Sequence, residues 1–180
     1  CCPVSDGAAA VLLTSAEVAE ELGKPSVRIA GVGQATDTHT LQERSDPTDL
    51  KAVTLASEKA FAMADIQPKA IDVAELHDAF TILEIAESEH AGFFEKGEGA
   101  KALARGDTRI GGKLPINPSG GLKARGHPVG ATGVAQIVEL VWQLRGEAGE
   151  RQVQDAQNGF SLNFGGFGNN VLAFVIRREA

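Results

Sequence analysis

The sequence predicts an α/β domain with a mixed five-stranded sheet covered by helices. Three observations predict it. Strand-like apolar segments alternate with segments of helical periodicity, the pattern of layered α/β folds. Hydrophobic residues make up 43 % and charged residues 23 % of the chain, the usage of a globular core rather than of a disordered tail or fibre. The length of 180 residues suits about one domain, and no repeat, low-complexity tract or linker divides it.

The elements follow in order. Asp6–Leu13 is apolar and reads as a buried strand ending at Thr14 and Ser15, although its alanines alone would also suit a helix. Ser15 caps a short helix to about Leu22, with Glu17 in its first turn, and Gly23 stops it. Val27–Val32 is a β-branched strand, and Gln34–Pro47 is polar with no clear element. Over Asp49–Ala64 the apolar residues Leu50, Val53, Ala56, Ala60, Phe61 and Ala64 fall at helical spacing, and Pro68 then breaks the chain. Ile71–Leu76 is a short strand, a second helix runs from about Phe80 to His90, and Lys96–Gly106 adds a turn of helix near the surface. The glycine-rich stretch Gly111–Gly130 leads into Val134, Ile137, Val138, Val141 and Leu144, an amphipathic helix ended by Gly146. Phe160–Phe164 and Asn170–Ile176 are the last strands, joined by a Gly165-Gly166-Phe167-Gly168 hairpin turn.

Charge and composition exclude several function classes. Lysine plus arginine number 17 against 24 aspartate plus glutamate, a net charge of −7, whereas a nucleic-acid protein carries a basic surplus. Tyrosine is absent and tryptophan single, which leaves little for a base-stacking surface. The apolar run Ala8–Leu13 is far short of the roughly 18 residues that cross a bilayer, and the acidic balance does not suit a membrane surface. The two cysteines are the neighbours Cys1 and Cys2, which rarely pair, so the chain fits a reducing, cytoplasmic compartment. A start at Cys1-Cys2-Pro3 with no initiator methionine reads as the interior of a longer protein, a fragment or a processed product.

Glycine is the anomaly: 21 residues of 180, well above the usual share of about 7 %. Clustered glycine marks backbone that turns tightly or lets another group come close. Three segments in or near such stretches carry candidate chemistry. In Gly126-His127-Pro128, proline suits a first helical turn, which sets the positive end of the following helix beside the imidazole and keeps it neutral. By itself, a loop histidine bonded to backbone fits equally well. His77-Asp78-Ala79-Phe80 lies where a strand hands over to a helix, the place where ligands gather in α/β sheets; taken alone, it fits better as a helix cap by Asp78 with His77 packed beside it. Backbone N–H groups of Asn163-Phe164-Gly165-Gly166 would face an oxyanion, though a plain hairpin is the simpler reading. No Cys/His cluster has zinc spacing, so no metal is expected. Gly31-Val32-Gly33 is too short for a dinucleotide fingerprint.

Together these segments closely resemble a known family. Asn117-Pro118-Ser119-Gly120-Gly121-Leu122-Lys123-Ala124-Arg125-Gly126-His127-Pro128-Val129-Gly130-Ala131-Thr132-Gly133 resembles the C-terminal signature of thiolases. Cys1-Cys2-Pro3-Val4-Ser5-Asp6-Gly7-Ala8-Ala9-Ala10 resembles the start of that family's C-terminal half. His77-Asp78-Ala79-Phe80 resembles the histidine-aspartate-cysteine-phenylalanine box of sterol-carrier-protein-type and archaeal acetyl-CoA acetyltransferases.

The resemblance, which spans essentially the whole chain, implies a thiolase C-terminal domain over residues 1–180. Its partner is a nucleophile-bearing N-terminal half absent from this sequence. A cysteine of that half would take an acyl group from a CoA thioester, His127 would accept the thiol proton, and His77 would join the oxyanion hole for the acetyl-CoA enolate. Ala79, Phe80, Ser119, Gly120, Asn163 and Gly165 would border the substrate. Coenzyme A is then substrate or product, with no separate cofactor. The full-length protein is expected to dimerise through its N-terminal halves, and Lys123 and Arg125 are candidates to attract anionic CoA. Two departures stand out. Cys1 and Cys2 do not match the nucleophile motif, so the chain alone is expected to be inert. The family's second, acid/base cysteine is also missing, since Ala79 and Asn163 occupy its two known positions. Thiolase-like aldolases that lack these cysteines act on CoA thioesters with a zinc-ribbon and OB-fold partner, and a non-catalytic acyl-CoA-binding scaffold is a third reading.

Overall fold

A computed structural model describes residues 1–23 and 26–179. Its elements are α1 (Ala16–Glu21), β1 (Val27–Thr36), α2 (Lys51–Ala64), β2 (Val73–Glu75), α3 (Thr81–His90), α4 (Gly99–Arg105), α5 (Gly121–Arg125), α6 (Thr132–Arg145), β3 (Asn158–Gly165) and β4 (Asn170–Arg178), with single 3-10 turns at Leu41–Glu43, Pro68–Ala70 and Gly149–Arg151. The strands form one mixed sheet in the order β1-β4-β3-β2. β4 runs antiparallel to both neighbours, and β2 runs parallel to β3 with Val73 opposite Gly159.

Strand alternation sends neighbouring residues to opposite faces, and each face has its own core. Phe160, Leu162, Phe164, Val171, Ala173 and Val175 pack with Val53, Ala56, Ala60 and Phe61 of α2. Phe61 stacks on Phe160 at 5.2 Å between ring centres, and Phe93 meets Phe160 edge-on. Behind the sheet, Val73 and Ile176 pack with Leu140 and Leu144 of α6 and with Val153 and Ala156. Gly31 and Gly33 of β1 face α2 so closely that a Cβ on either would collide with the carbonyl oxygen of Ala60 or Ala56. The short glycine motif in β1 is therefore a packing notch for a helix.

The structure corrects several expectations. The sheet has four strands among the described residues, not five, because Asp6–Leu13 joins no ladder. Leu12 is 84 % and Leu13 71 % exposed: an apolar run buries itself only where a surface waits for it, and no strand among the described residues pairs with this one. Instead the first residues are tied to the loops, with Cys2 N–H donating to Ala79 O at 3.1 Å and His127 N–H donating to Ser5 Oγ at 2.9 Å. β1 extends past Val32 to Thr36, because Gln34 and Thr36 continue its pairing with Leu172 and Asn170. The segment 34–47, read as having no element, thus holds the end of a strand and one 3-10 turn.

The largest correction concerns α6. The predicted amphipathic helix is present and ends at Gly146, but its buried positions are Thr132, Gln136, Glu139, Leu140, Gln143 and Leu144. Val134, Ile137, Val138 and Val141 are only half-buried. The inward polar groups are satisfied: Gln143 donates to Glu139 Oε1 at 3.0 Å and accepts from Val153 N–H at 2.7 Å, and Arg151 pairs with Glu139 at 2.9 Å. A buried polar group carries little penalty once it is hydrogen-bonded, so the helix can bury these polar groups beside Leu140 and Leu144 while Val134, Ile137, Val138 and Val141 are buried only in part.

Candidate active site

The site is built where β2 ends. As in other α/β sheets, the loop beyond the carboxyl end of a strand is where ligands gather; here it is Leu76-His77-Asp78-Ala79-Phe80 before α3. A second loop, Asn117–Gly120, is laced to this one. Asn117 adopts a left-handed backbone (φ 52°) and accepts from Leu76 N–H through Oδ1 at 2.7 Å. Ser119 donates to the Glu75 carboxylate from its hydroxyl at 2.8 Å and from its N–H at 3.2 Å. Asp78 accepts from Leu122 N–H at 2.7 Å and so caps α5. The capping expected of Asp78 is real, but it serves α5 and not α3, whose start at Phe80 has no side-chain cap. Gly121 (φ 62°) makes this possible, because a Cβ there would collide with the Asp78 carboxylate.

α5 delivers His127. Pro128 does not occupy the first turn of α6, which starts four residues later at Thr132; the imidazole reaches that turn through its side chain instead. His127 Nδ1 lies 2.6 Å from Thr132 Oγ1, whose hydroxyl donates to Pro128 O at 3.2 Å. A hydroxyl that donates to Pro128 O leaves Oγ1 to accept from Nδ1–H, the tautomer in which Nε2 keeps its lone pair.

His77 and His127 meet edge to face with ring centres 4.8 Å apart. Phe164 stacks along His77 at 6.3 Å. His77 is buried, donates its backbone N–H to Glu87 Oε2 at 2.8 Å, and has Asn163 Nδ2 at 3.3 Å from its Nδ1. Burial, then the facing His127, then Arg125 push its pKa down to about 4. Burial and Arg125 also lower that of His127, against a pull from Asp78 in the other direction. Both rings are therefore neutral at pH 7. Burial holds the Glu75 carboxyl up at about 7 despite Arg125 and Ser119, and drives Glu87 well above the ordinary carboxylate range.

Of the residues singled out from sequence, His77, His127 and Asn163 come together, with Ala79, Phe80, Ser119 and Gly120 on the two laced loops around them. Phe80 and Gly120 are exposed; Ala79 and Ser119 are half-buried. Gly165 closes β3 opposite Asn170, two residues beyond Asn163. Lys123 and Arg125 are not free loop charges: Lys123 donates to Cys1 O at 3.2 Å, and Arg125 pairs with buried Glu75 at 3.5 Å. Glu75, Thr132, Gln136 and Ser5 complete the site. Sequence reasoning passes over Glu75, Gln136 and Ser5 because their partners lie far along the chain; Thr132 has local partners but stands in a loop-to-helix junction with no periodic signal.

Two concavities flank this region. The larger, about 760 Å³, lies between α2 and the end of α3, lined by Phe61, Asp65, Pro68 and His90, and includes neither ring. The smaller, about 420 Å³, is lined by Ala8–Ala10, Ser119, Arg125, Val138 and Trp142. The larger concavity thus lies apart from the paired imidazoles.

Fold and site together define a thiolase-like α/β domain. Residues 33–178 match the family described as thiolase C-terminal domain-like, and the chain belongs to that family. It is 50 % identical over 178 residues to the acetyl-CoA acetyltransferase of Methanothermobacter thermautotrophicus, covering 99 % of this chain and 46 % of that protein. It is 42 % identical over 170 residues to sterol carrier protein 2 of Homo sapiens, covering 92 % of this chain and 31 % of that protein. The chain thus spans half or less of the length of these relatives. Among solved structures, a chain of the Ltp2-ChsH2(DUF35) aldolase superposes with a TM-score of 0.80 at 29 % identity, covering 91 % of this chain and 42 % of that one.

Proposed function

We propose that this chain is the C-terminal part of an acyltransferase of the acetyl-CoA C-acetyltransferase type, acting on CoA thioesters by Claisen condensation or thiolysis. The observation that carries the reading is the pair of neutral imidazoles 4.8 Å apart on mutually laced loops. Nε2 of His127 takes the proton of a cysteine supplied by the N-terminal half. The thiolate attacks the thioester carbonyl, the CoA thiolate leaves, and His127 returns the proton to it. His77 joins the oxyanion hole that holds the enolate of acetyl-CoA. Ala79, Phe80 and the Ser119–Gly120 loop border the pantetheine arm, and Asn163 and Gly165 close the site from β3. Coenzyme A enters as substrate or product.

The need for a second half is supported by what the chain leaves uncovered. Leu12, Leu13 and Trp142 are exposed, and Ala8–Ala10 line a concavity with Val138 and Trp142 of α6; exposed apolar surface marks an interface. The N-terminal half covers it, and the whole protein dimerises through that half in the cytoplasm.

A second reading has its own observation. Ala79 and Asn163 leave no thiol at either position where the resemblance would put the acid/base cysteine, and one structural neighbour is an aldolase. In that reading the enzyme cleaves or forms a carbon–carbon bond on a CoA thioester with a zinc-ribbon and OB-fold partner.

Treating the assembled enzyme with acetyl-CoA, followed by mass spectrometry and turnover assays, separates the readings. An acyl-cysteine adduct with condensation or thiolysis supports the transferase, retro-aldol turnover without an adduct supports the aldolase, and binding with neither leaves a scaffold. In the transferase, His127→Ala lowers kcat by roughly 10²–10⁴-fold, the usual loss of a general base; an unchanged kcat removes His127 from the mechanism.

A further inference from the structure

We propose that Asn163, aimed by the fully buried Gln136, is a positioning residue that holds His77 as the Nε2–H tautomer. The ring then always presents a hydrogen-bond donor to the oxyanion. The inference rests on the proposed acyl-transfer reading for what the donor is for, but not for the tautomer itself.

Gln136 has no exposed surface. Its Nε2 lies 3.0 Å from Leu162 O and 3.4 Å from Glu75 O. Both are carbonyl acceptors, so the amide must point its NH2 at them; turned the other way, it would set oxygen against oxygen in a buried place. That fixes Oε1 toward β3, where Asn163 Nδ2 sits at 3.3 Å. Oε1 can only accept, so Asn163 must present its NH2 as well. The same Nδ2 lies 3.3 Å from His77 Nδ1 and uses one hydrogen for each neighbour. His77 Nδ1 is thus the acceptor, and the single proton of the neutral ring resides on Nε2.

Two backbone carbonyls therefore set the polarity of a side-chain relay that ends at the ring. Gly133 gives the relay its room, since a Cβ there would stand 3.1 Å from Asn163 Nδ2. At the neighbouring His127, a Thr132 hydroxyl donating to Pro128 O would select the opposite tautomer, with the lone pair on Nε2. One ring is built to receive a proton and the other to donate a hydrogen bond.

The test is long-range ¹H–¹⁵N NMR of the ¹⁵N-histidine-labelled chain at pH 7. Wild type is expected to show His77 protonated at Nε2; a spectrum of the Nδ1–H form, or of a mixture, overturns the proposal without any variant being made. Asn163→Asp replaces the donor by a carboxylate that can only accept. His77 should then move its proton to Nδ1 and titrate at a higher pH; retention of the Nε2–H form would contradict the relay. In the assembled enzyme the same substitution should cost about 10²-fold in kcat with KM little changed, as loss of one oxyanion donor does. If the tautomer behaves as stated and no acyl transfer is found, the relay stands and the proposed function fails. If acyl transfer is intact and the tautomer is wrong, the reverse holds.

Discussion

At the scale of single residues, two facing imidazoles both have their pKa pushed down. Burial is the main cause for both, and each then feels Arg125. For His77 the facing His127 is the second cause, which yields a prediction with a definite sign. In an NMR titration His77 charges only near pH 4, and His127→Asn moves that midpoint upward, because a repelling partner has gone. It stays below 6.5, because burial remains; no shift, or a downward one, would contradict the assignment. Activity that needs neutral His127 persists through neutral pH and falls on acidification below 6.5, as that ring takes a proton. The two histidines are legible in the sequence because each sits in a short, distinctive loop. Their partners are not, because Glu75–Ser119, Asp78–Leu122 and Gln136–Leu162 join residues far apart in the chain, and local spacing carries no information about such pairs.

At the scale of elements, most strands and helices follow from periodicity, and the departures share one cause. Asp6–Leu13 and the Val134–Val141 stripe are apolar enough to be core, yet apolarity records only a need for burial and not the surface that meets it. Asp6–Leu13 therefore reads as a fifth strand although no ladder among the described residues accepts it, and in α6 the stripe buries Leu144 fully but Val134, Ile137, Val138 and Val141 only in part. The reverse lesson comes from β1, where Gly31 and Gly33 look like weak strand positions but let α2 sit against the sheet. Gly33→Ala should overpack that contact and cost about 1–3 kcal/mol, measured as a lower urea midpoint with unchanged slope. Val32→Ala, one residue away on the other face, should cost much less; equal losses would show that the notch is not what the glycine provides.

At the scale of the whole molecule, a domain with a core on each face of its sheet still leaves Leu12, Leu13, Phe80 and Trp142 exposed and the α6 stripe only half-buried. That combination suits half of an enzyme whose cleft closes only when the other half is in place. Val138→Lys on the outward stripe should leave this chain's own melting transition nearly unchanged while weakening its association with the N-terminal half at least tenfold in sedimentation; a fall in the chain's own stability would mean the stripe serves the internal core instead. The most direct measurement follows the thiol itself, as the rate at which iodoacetamide alkylates the nucleophilic cysteine of the assembled enzyme across pH, with and without His127→Ala. The account predicts that the wild-type cysteine reacts well below the pH of about 8.5 at which a free thiol ionises, and that the variant returns to ordinary thiol behaviour. Identical pH profiles for the two would contradict it.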